Sequence, residues 1–135
     1  MANLATNRDV IALSQKERSV QTKMLMRLFE LWKMTYKKQS ILLGLSAKTD
    51  STIHRYKTGK TCLPLARDIQ DRAKHFFAIH RYLKQIYSIN PSLAYRWMNT
   101  RNKDFHSLSP YDVIKQQGYS GVVAVRDYLE EGVLL

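Results

Sequence analysis

Apolar residues recur along this chain in steps of three and four, and that period organises nearly all of it. From Val20 they fall at Val20, Met24, Leu28 and Leu31, with Leu25 and Trp32 alongside, which predicts a helix over about 20–33. Before it, residues 1–19 are polar apart from Val10, Ile11 and Leu13 and read as a loose arm with room for one helical turn. Thr35 offers an N-cap oxygen to a short second helix that ends at Gly44, and Ser46 one to a third helix through Tyr56, closed by Gly59. After Pro64, set at a first helical turn, the stripe Ala66, Ile69, Ala73, Phe76, His80, Leu83, Tyr87 predicts a long helix running up to Asn90-Pro91. A stripe of this kind suits a dimer seam as well as a core; over so few heptads we read it as facing the core.

The last third is punctuated more densely. Asn90-Pro91 and Ser109-Pro110 each place a capping residue before a proline, Asp112 stands where a capping box wants an acid, and Gly118 stops the second of these helices. A final helix is expected over Gly121–Glu131, with Val122, Val125 and Leu129 on one face and Gly132 as its C-cap. No alternation of period two is long enough to demand a strand, so the expected class is all-α.

Size and composition narrow this further. At 135 residues with 44% hydrophobic and 24% charged positions, the chain has the apolar content of one domain, or of two small modules sharing a core, and not that of a disordered or fibrous protein. Its longest apolar run is four residues against the roughly 20 that cross a bilayer, and MANLATNRDV lacks a signal-peptide layout. A single cysteine, Cys62, rules out an internal disulfide framework, so a cytoplasmic protein without membrane association is expected.

Charge is unevenly placed. The net charge is +11, and residues 1–60 carry twelve Lys/Arg against four Asp/Glu. A basic half of this kind attracts polyanions by counterion release. The segment TYKKQSILLGLSAKTDSTIHRYKTGK adds a geometry to the charge: a short helix, a turn at Gly44-Leu45-Ser46 and a second helix suited to a major groove. Lys48, Thr49, Ser51, Thr52, His54, Arg55 and Lys57 are its candidate DNA-binding residues: Ser and Thr address bases or phosphates, Arg reads guanine, and Lys neutralises phosphate. Leu42, Leu43, Leu45, Ile53 and Tyr56 read as the core that fixes the two helices.

A catalytic or metal constellation is not to be found. His75 and His80 lie five apart on one helix, about 140° round its axis, and cannot converge on one ion. There is no phosphate-cradling glycine loop, nucleophile elbow or paired acid at fixed spacing. The expectation is a binding protein with no enzymatic activity, no metal and no cofactor.

LLGLS followed by Thr52-Ile53, Arg55-Tyr56 and Gly59 resembles the helix-turn-helix of Xre-type regulators, though the stretch from Gly44 to Tyr56 is about three residues longer than the usual pattern. The tail resembles the toxin-binding domain of the Xre/MbcA/ParS antitoxins. The resemblance is carried by Trp97-Met98, Arg101-Asn102, Phe105, Ser109-Pro110, Val113-Ile114, Gly118, Gly121, Val125 and Arg126-Asp127-Tyr128-Leu129. Where the family commonly shows Pro-Asn and later a glycine, this chain has Arg101-Asn102 and His106-Ser107. The resemblance implies three parts: the arm, a helix-turn-helix domain over 20–62, and a long helix with a small toxin-binding module over 63–135. It also implies a RES-domain toxin that degrades NAD as partner, operator DNA as a second partner, and a homodimer within a toxin–antitoxin hetero-oligomer. Arg101, Asn102, Phe105 and Arg126 are the residues it brings forward for the toxin.

Taken by themselves, most of these tail residues read as structure: Trp97, Phe105, Val113, Ile114, Val122 and Val125 as core, Asn102 and Ser109 as caps. The end of the chain is different. Glu130-Glu131 followed by Gly132-Val133-Leu134-Leu135 places carboxylates beside an apolar terminus, a composition suited to a basic enzyme cleft. Glu130, Glu131, Leu134 and Leu135 therefore join the candidate toxin-binding set. The competing reading is a helix-turn-helix transcriptional regulator with no toxin partner, whose C-terminal module binds only itself.

Overall fold

The computed structural model describes residues 14–46 and 50–134. The first part of the expected arm, residues 1–13 with Val10, Ile11 and Leu13, lies outside the described residues, as do Lys48, Thr49 and Leu135. Seven α-helices, two 3-10 turns and no strand occur among the described residues, so the chain is all-α. The helices are α1 (Gln15–Leu31), α2 (Tyr36–Leu42), α3 (Asp50–Thr58), α4 (Arg67–Ile86), α5 (Pro91–Arg96), α6 (Pro110–Gln117) and α7 (Tyr119–Leu134). The 3-10 turns span Trp97–Asn99 and Lys103–Phe105. None of the helices is long and apolar enough to cross a membrane.

Helix α1 starts five residues before the expected position, because Ser14 and Glu17 form a capping box. The Glu17 amide donates to Ser14 Oγ at 3.1 Å and the Ser14 amide to Glu17 Oε1 at 3.4 Å. Its buried face also differs from the expected one. Leu25, Met26, Leu28, Phe29 and Trp32 are buried, whereas Val20 and Met24 are 50% and 57% exposed. The helix ends with the Met34 amide on Phe29 O and the Lys33 amide on Glu30 O, which puts Lys33 at φ 56°. This closure normally recruits glycine or asparagine.

The short helix α2 is capped by Thr35 as expected, with the Lys38 amide on its hydroxyl at 3.2 Å. Gly44, at φ +70°, ends it through the Leu45 amide on Ser40 O. The next helix departs from expectation: α3 begins at Asp50, four residues beyond Ser46, so Ser46 does not cap it and the connection is longer than a tight turn. Similarly, α4 begins at Arg67, with Ala66 rather than Pro64 at its threshold, and it closes at Ile86 short of Asn90.

Packing centres on an aromatic nucleus. Phe76 of α4 meets Phe29 edge-on at 5.4 Å and Trp32 at 6.1 Å. From there one continuous core runs through Ile79, Leu83, Met98, Ile114, Val122, Val125 and Leu129. Asn99 ties the Trp97–Asn99 turn to the α1–α2 junction: its Nδ2 donates to Trp32 O at 2.7 Å while Lys38 Nζ donates to its Oδ1 at 3.0 Å.

Helices α6 and α7 approach closely because residue 121 is glycine. A Cβ there would lie 2.7 Å from the Val113 carbonyl oxygen and 2.9 Å from Ile114 Cα. Ser109 caps α6 as expected, accepting from the Asp112 amide at 3.1 Å. Asn90 does not cap α5 with its side chain, which instead accepts from Ser92 Oγ at 2.7 Å. The last helix also begins earlier and runs further than its glycines imply: it starts at Tyr119, and Gly132 lies inside it rather than at its C-cap. In a buried-face helix of this length, tertiary packing outweighs one glycine's cost of about 1 kcal/mol.

Candidate functional site

Helix α3 is held by Ile53 and Tyr56, 0% and 5% exposed, against the core. At 100° per residue this turns Ser51, His54 and Arg55 outward, and all three are exposed. Thr52, half-buried, and Lys57, exposed, fall on the flanks. Arg55 Nη2 rests 3.4 Å from Thr52 Oγ1. Tyr36, at the start of α2, gathers two more of the set: its hydroxyl lies 3.3 Å from His54 Nδ1, and Lys57 Nζ sits 5.9 Å above its ring. Sequence reasoning did not single out Tyr36. Its position two residues after Met34 gave no sign of a contact 18 residues further on.

Toward the C-terminus, the segment 101–108 is a closed loop. The Asn102 amide donates to Leu108 O at 3.0 Å and the Ser107 amide to Asn102 O at 3.0 Å, an isolated antiparallel bridge. Asn102 Oδ1 accepts from the Asp104 amide at 2.9 Å, so its side chain is occupied as a cap. His106 and Ser107 stand at φ 55° and 67°, the left-handed region that glycine enters at no steric cost. Arg101 is exposed at the entrance to this loop.

Phe105 points back to the body of the protein. It packs 4.9 Å from the Tyr128 ring and 6.2 Å from Trp97, and Trp97 stacks on Tyr128 at 6.1 Å. The Tyr128 hydroxyl donates to Asp104 Oδ2 at 2.6 Å, and this carboxylate, with burial, pushes the phenol above its ordinary pKa. Beside the cluster, Ile86, Tyr87, Trp97, Asp104, Tyr128 and Glu131 line an open cleft of about 340 Å³. Asp104, Tyr87 and Tyr128 were not among the expected partner residues. Only the fold brings the α4 end, the loop and α7 to one place.

Arg126, Glu130 and Leu134 recur at steps of four along α7 and share one side of it. Arg126 is half-buried, with Nη1 3.0 Å from His75 Nδ1. Since arginine only donates, Nδ1 accepts, and His75 Nε2 carries the proton facing the Tyr119 hydroxyl at 3.0 Å. Burial and then the Arg126 charge hold His75 below the ordinary imidazole pKa. Burial likewise lowers His80, whose ring stacks on Tyr95 at 6.2 Å. Further along the same side Glu130 is half-buried, and Leu134 is 81% exposed.

The candidate toxin-binding residues thus divide. Asn102 and Phe105 belong to the loop and aromatic cluster, Glu131 lines the adjoining cleft, and Arg126, Glu130 and Leu134 follow α7 to its exposed end.

A search of curated proteins finds none that matches the chain. Residues 89–131, from the residue before α5's threshold to the acidic pair on α7, match the antitoxin Xre/MbcA/ParS C-terminal toxin-binding domain. This stretch holds the closed loop, the aromatic cluster and the cleft, and its similarity to that domain supports an antitoxin role with a toxin as partner.

Proposed function

We propose that this chain is the antitoxin of a type II toxin–antitoxin pair. It occludes the active site of a RES-type, NAD-degrading toxin with its C-terminal module, and as a homodimer it binds promoter DNA to repress its own operon. The observation that carries the reading is the match over residues 89–131, which ends where α7 presents Glu130, Glu131 and Leu134. In this division of work residues 63–135 hold the toxin and residues 20–62 the operator; residues 15–19, expected as part of an arm, are instead the opening turns of α1.

The chemistry of occlusion follows from the substrate. An enzyme that consumes NAD must hold two phosphates and therefore lines its cleft with cations or backbone N–H groups. Glu130 and Glu131 supply carboxylates to such groups while Leu134 fills an apolar recess. The promoter function rests on the exposed Ser51, His54 and Arg55 face of α3 and the basic first half of the chain.

Co-expression with the product of the neighbouring reading frame tests the whole proposal. The expected result is a co-purifying complex and cellular NAD preserved relative to the toxin alone. A chain that binds the promoter but captures no toxin and leaves NAD depletion unchanged would be a regulator without a toxin partner.

A further inference from the structure

Helix α1 carries two faces, and only one of them is used by the fold. Opposite the buried Leu25, Phe29 and Trp32, the outward face shows Val20 and Met24, 50% and 57% exposed, with the half-buried Leu31 continuing the line and Phe77 of α4 flanking it. At 100° per residue Glu17, Val20, Met24, Arg27 and Leu31 fall within about 80° of arc. The stripe is apolar at its centre and bears one charge of each sign on either side.

That charge order has a two-fold logic. A two-fold axis at position 22 lays α1 of one copy antiparallel on α1 of another and pairs positions that are equally far from it on opposite sides. Val20 then meets the other copy's Met24, and by the same offset Glu17 meets its Arg27. Every contact occurs twice, as an isologous interface requires. A parallel arrangement would instead oppose Glu17 to Glu17 and Arg27 to Arg27. Among the described residues Arg27 makes a solvent-exposed ion pair with Glu30, at 3.6 Å with 67% and 57% of the two side chains exposed, so its guanidinium is open to a stronger partner.

We propose that the outward face of α1 is a homodimer seam in which two copies pair antiparallel, Val20 on Met24 and Glu17 on Arg27. This deepens the homodimer of the reading above and names its surface. Because it is measured on the full chain without toxin or DNA, its failure leaves toxin binding standing, and a toxin that fails to bind leaves the seam standing.

Sedimentation velocity over a concentration series tests it. The wild-type chain is expected to show a monomer–dimer equilibrium. Arg27→Glu and Glu17→Arg are each expected to weaken it about tenfold or more, since each places two like-charge pairs across the seam. An equimolar mixture of the two variants is expected to recover the wild-type affinity, because both pairs in the mixed dimer have opposite signs. Circular dichroism checks that each variant folds; Arg27→Glu leaves the Ser14 capping box untouched and remains decisive if Glu17→Arg frays the helix. A chain monomeric throughout the series would overturn the proposal. So would a dimer indifferent to either charge reversal, or a mixture no tighter than its components.

Discussion

Arg72 reaches across from α4 and donates through Nη1 to the carbonyl oxygen of Leu42 at 2.9 Å, at the C-terminal end of α2. The guanidinium is thereby placed against the negative end of a helix whose last turn contains no basic residue of its own. Asp68 holds Nε at 3.2 Å, and the Tyr119 ring lies 5.8 Å from Cζ. Through one side chain, then, the end of α2 is fixed to the long helix α4 and to the first turn of α7. Gly44 is the counterpart of this arrangement, since it leaves the space into which the guanidinium fits.

Removing either partner should cost folding stability. Arg72→Leu leaves a buried carbonyl without its charged donor and is expected to lose about 2–3 kcal/mol in chemical denaturation. Gly44→Ala is expected to lose at least about 1 kcal/mol, from φ +70° alone and from a Cβ that would fall 2.7 Å from Arg72 Cζ. If both variants unfold at the wild-type denaturant midpoint, Arg72 is not the joint between the two segments.

The end of α1 offers the opposite sign. Lys33 is exposed and sits in a left-handed conformation that a lysine enters only at a cost. Lys33→Gly is expected to gain roughly 0.5–1 kcal/mol, the relief of that conformation less the added freedom of the unfolded chain. A decrease in the unfolding midpoint would contradict this account.

Elements with local signals were legible in the sequence. Thr35 and Ser109 cap the helices they were expected to cap, Gly44 and Gly118 take the positive φ that stops helices, and Trp97 is buried as its spacing implied. What was misread depended on choices between competing local signals. Val20 and Met24 keep a helical period with Leu28, but the buried face, centred on Leu25, Phe29 and Trp32, lies about 130° round the helix from Val20 and Met24. The cap that decides the start of α1 is Ser14, outside the window from which the period was counted. The site was less legible still. Asp104 and Tyr128 are 24 residues apart, and Arg72 and Leu42 are 30 apart; nothing in spacing or composition joins them.

Stability should depend on pH through His75 and His80. Both have folded-state pKa values below the ordinary 6.5, chiefly because burial penalises the imidazolium. The unfolded chain therefore binds more protons near neutrality, and stability rises with pH. The contribution is complete above the ordinary value and is lost as pH falls through it toward the lower folded value. His75→Gln, which cannot titrate, is expected to flatten the fall in unfolding free energy between pH 7 and pH 5. An unchanged slope would show that His75 is protonated equally in both states.

The proposed DNA binding through α3 should separate base contacts from phosphate contacts. Arg55 lies on the outward face, where its loss is expected to cost roughly 1–3 kcal/mol against the operator and little against random DNA. Lys57, on the flank, should weaken both about equally and lower the salt slope, which runs at about 0.9 per neutralised phosphate in log–log form. Electrophoretic or fluorescence titrations at several salt concentrations give both quantities. Equal behaviour of Arg55→Ala and Lys57→Ala would place the base-reading residues outside α3, in the connection that precedes it.

The proposed toxin-blocking surface can be separated from the fold because of where α7 buries its residues. Leu129 is 2% exposed, so ending the chain there would put a terminal carboxylate against the core and confound any truncation. Glu131 and Leu134, by contrast, are exposed, and the paired substitution Glu131→Lys with Leu134→Asp alters what α7 presents without touching Val122, Val125 or Leu129. The double variant is expected to keep its unfolding midpoint and promoter affinity but to lose protection against the toxin, read as cellular NAD on co-expression. A reversed charge facing a cationic cleft should cost about 2–5 kcal/mol of binding, enough to turn stable occlusion into transient contact. If the double variant protects as well as wild type, the α7 end does not enter the active site, and the blocking surface shifts to Arg101 and the closed loop that Asn102 and Phe105 anchor.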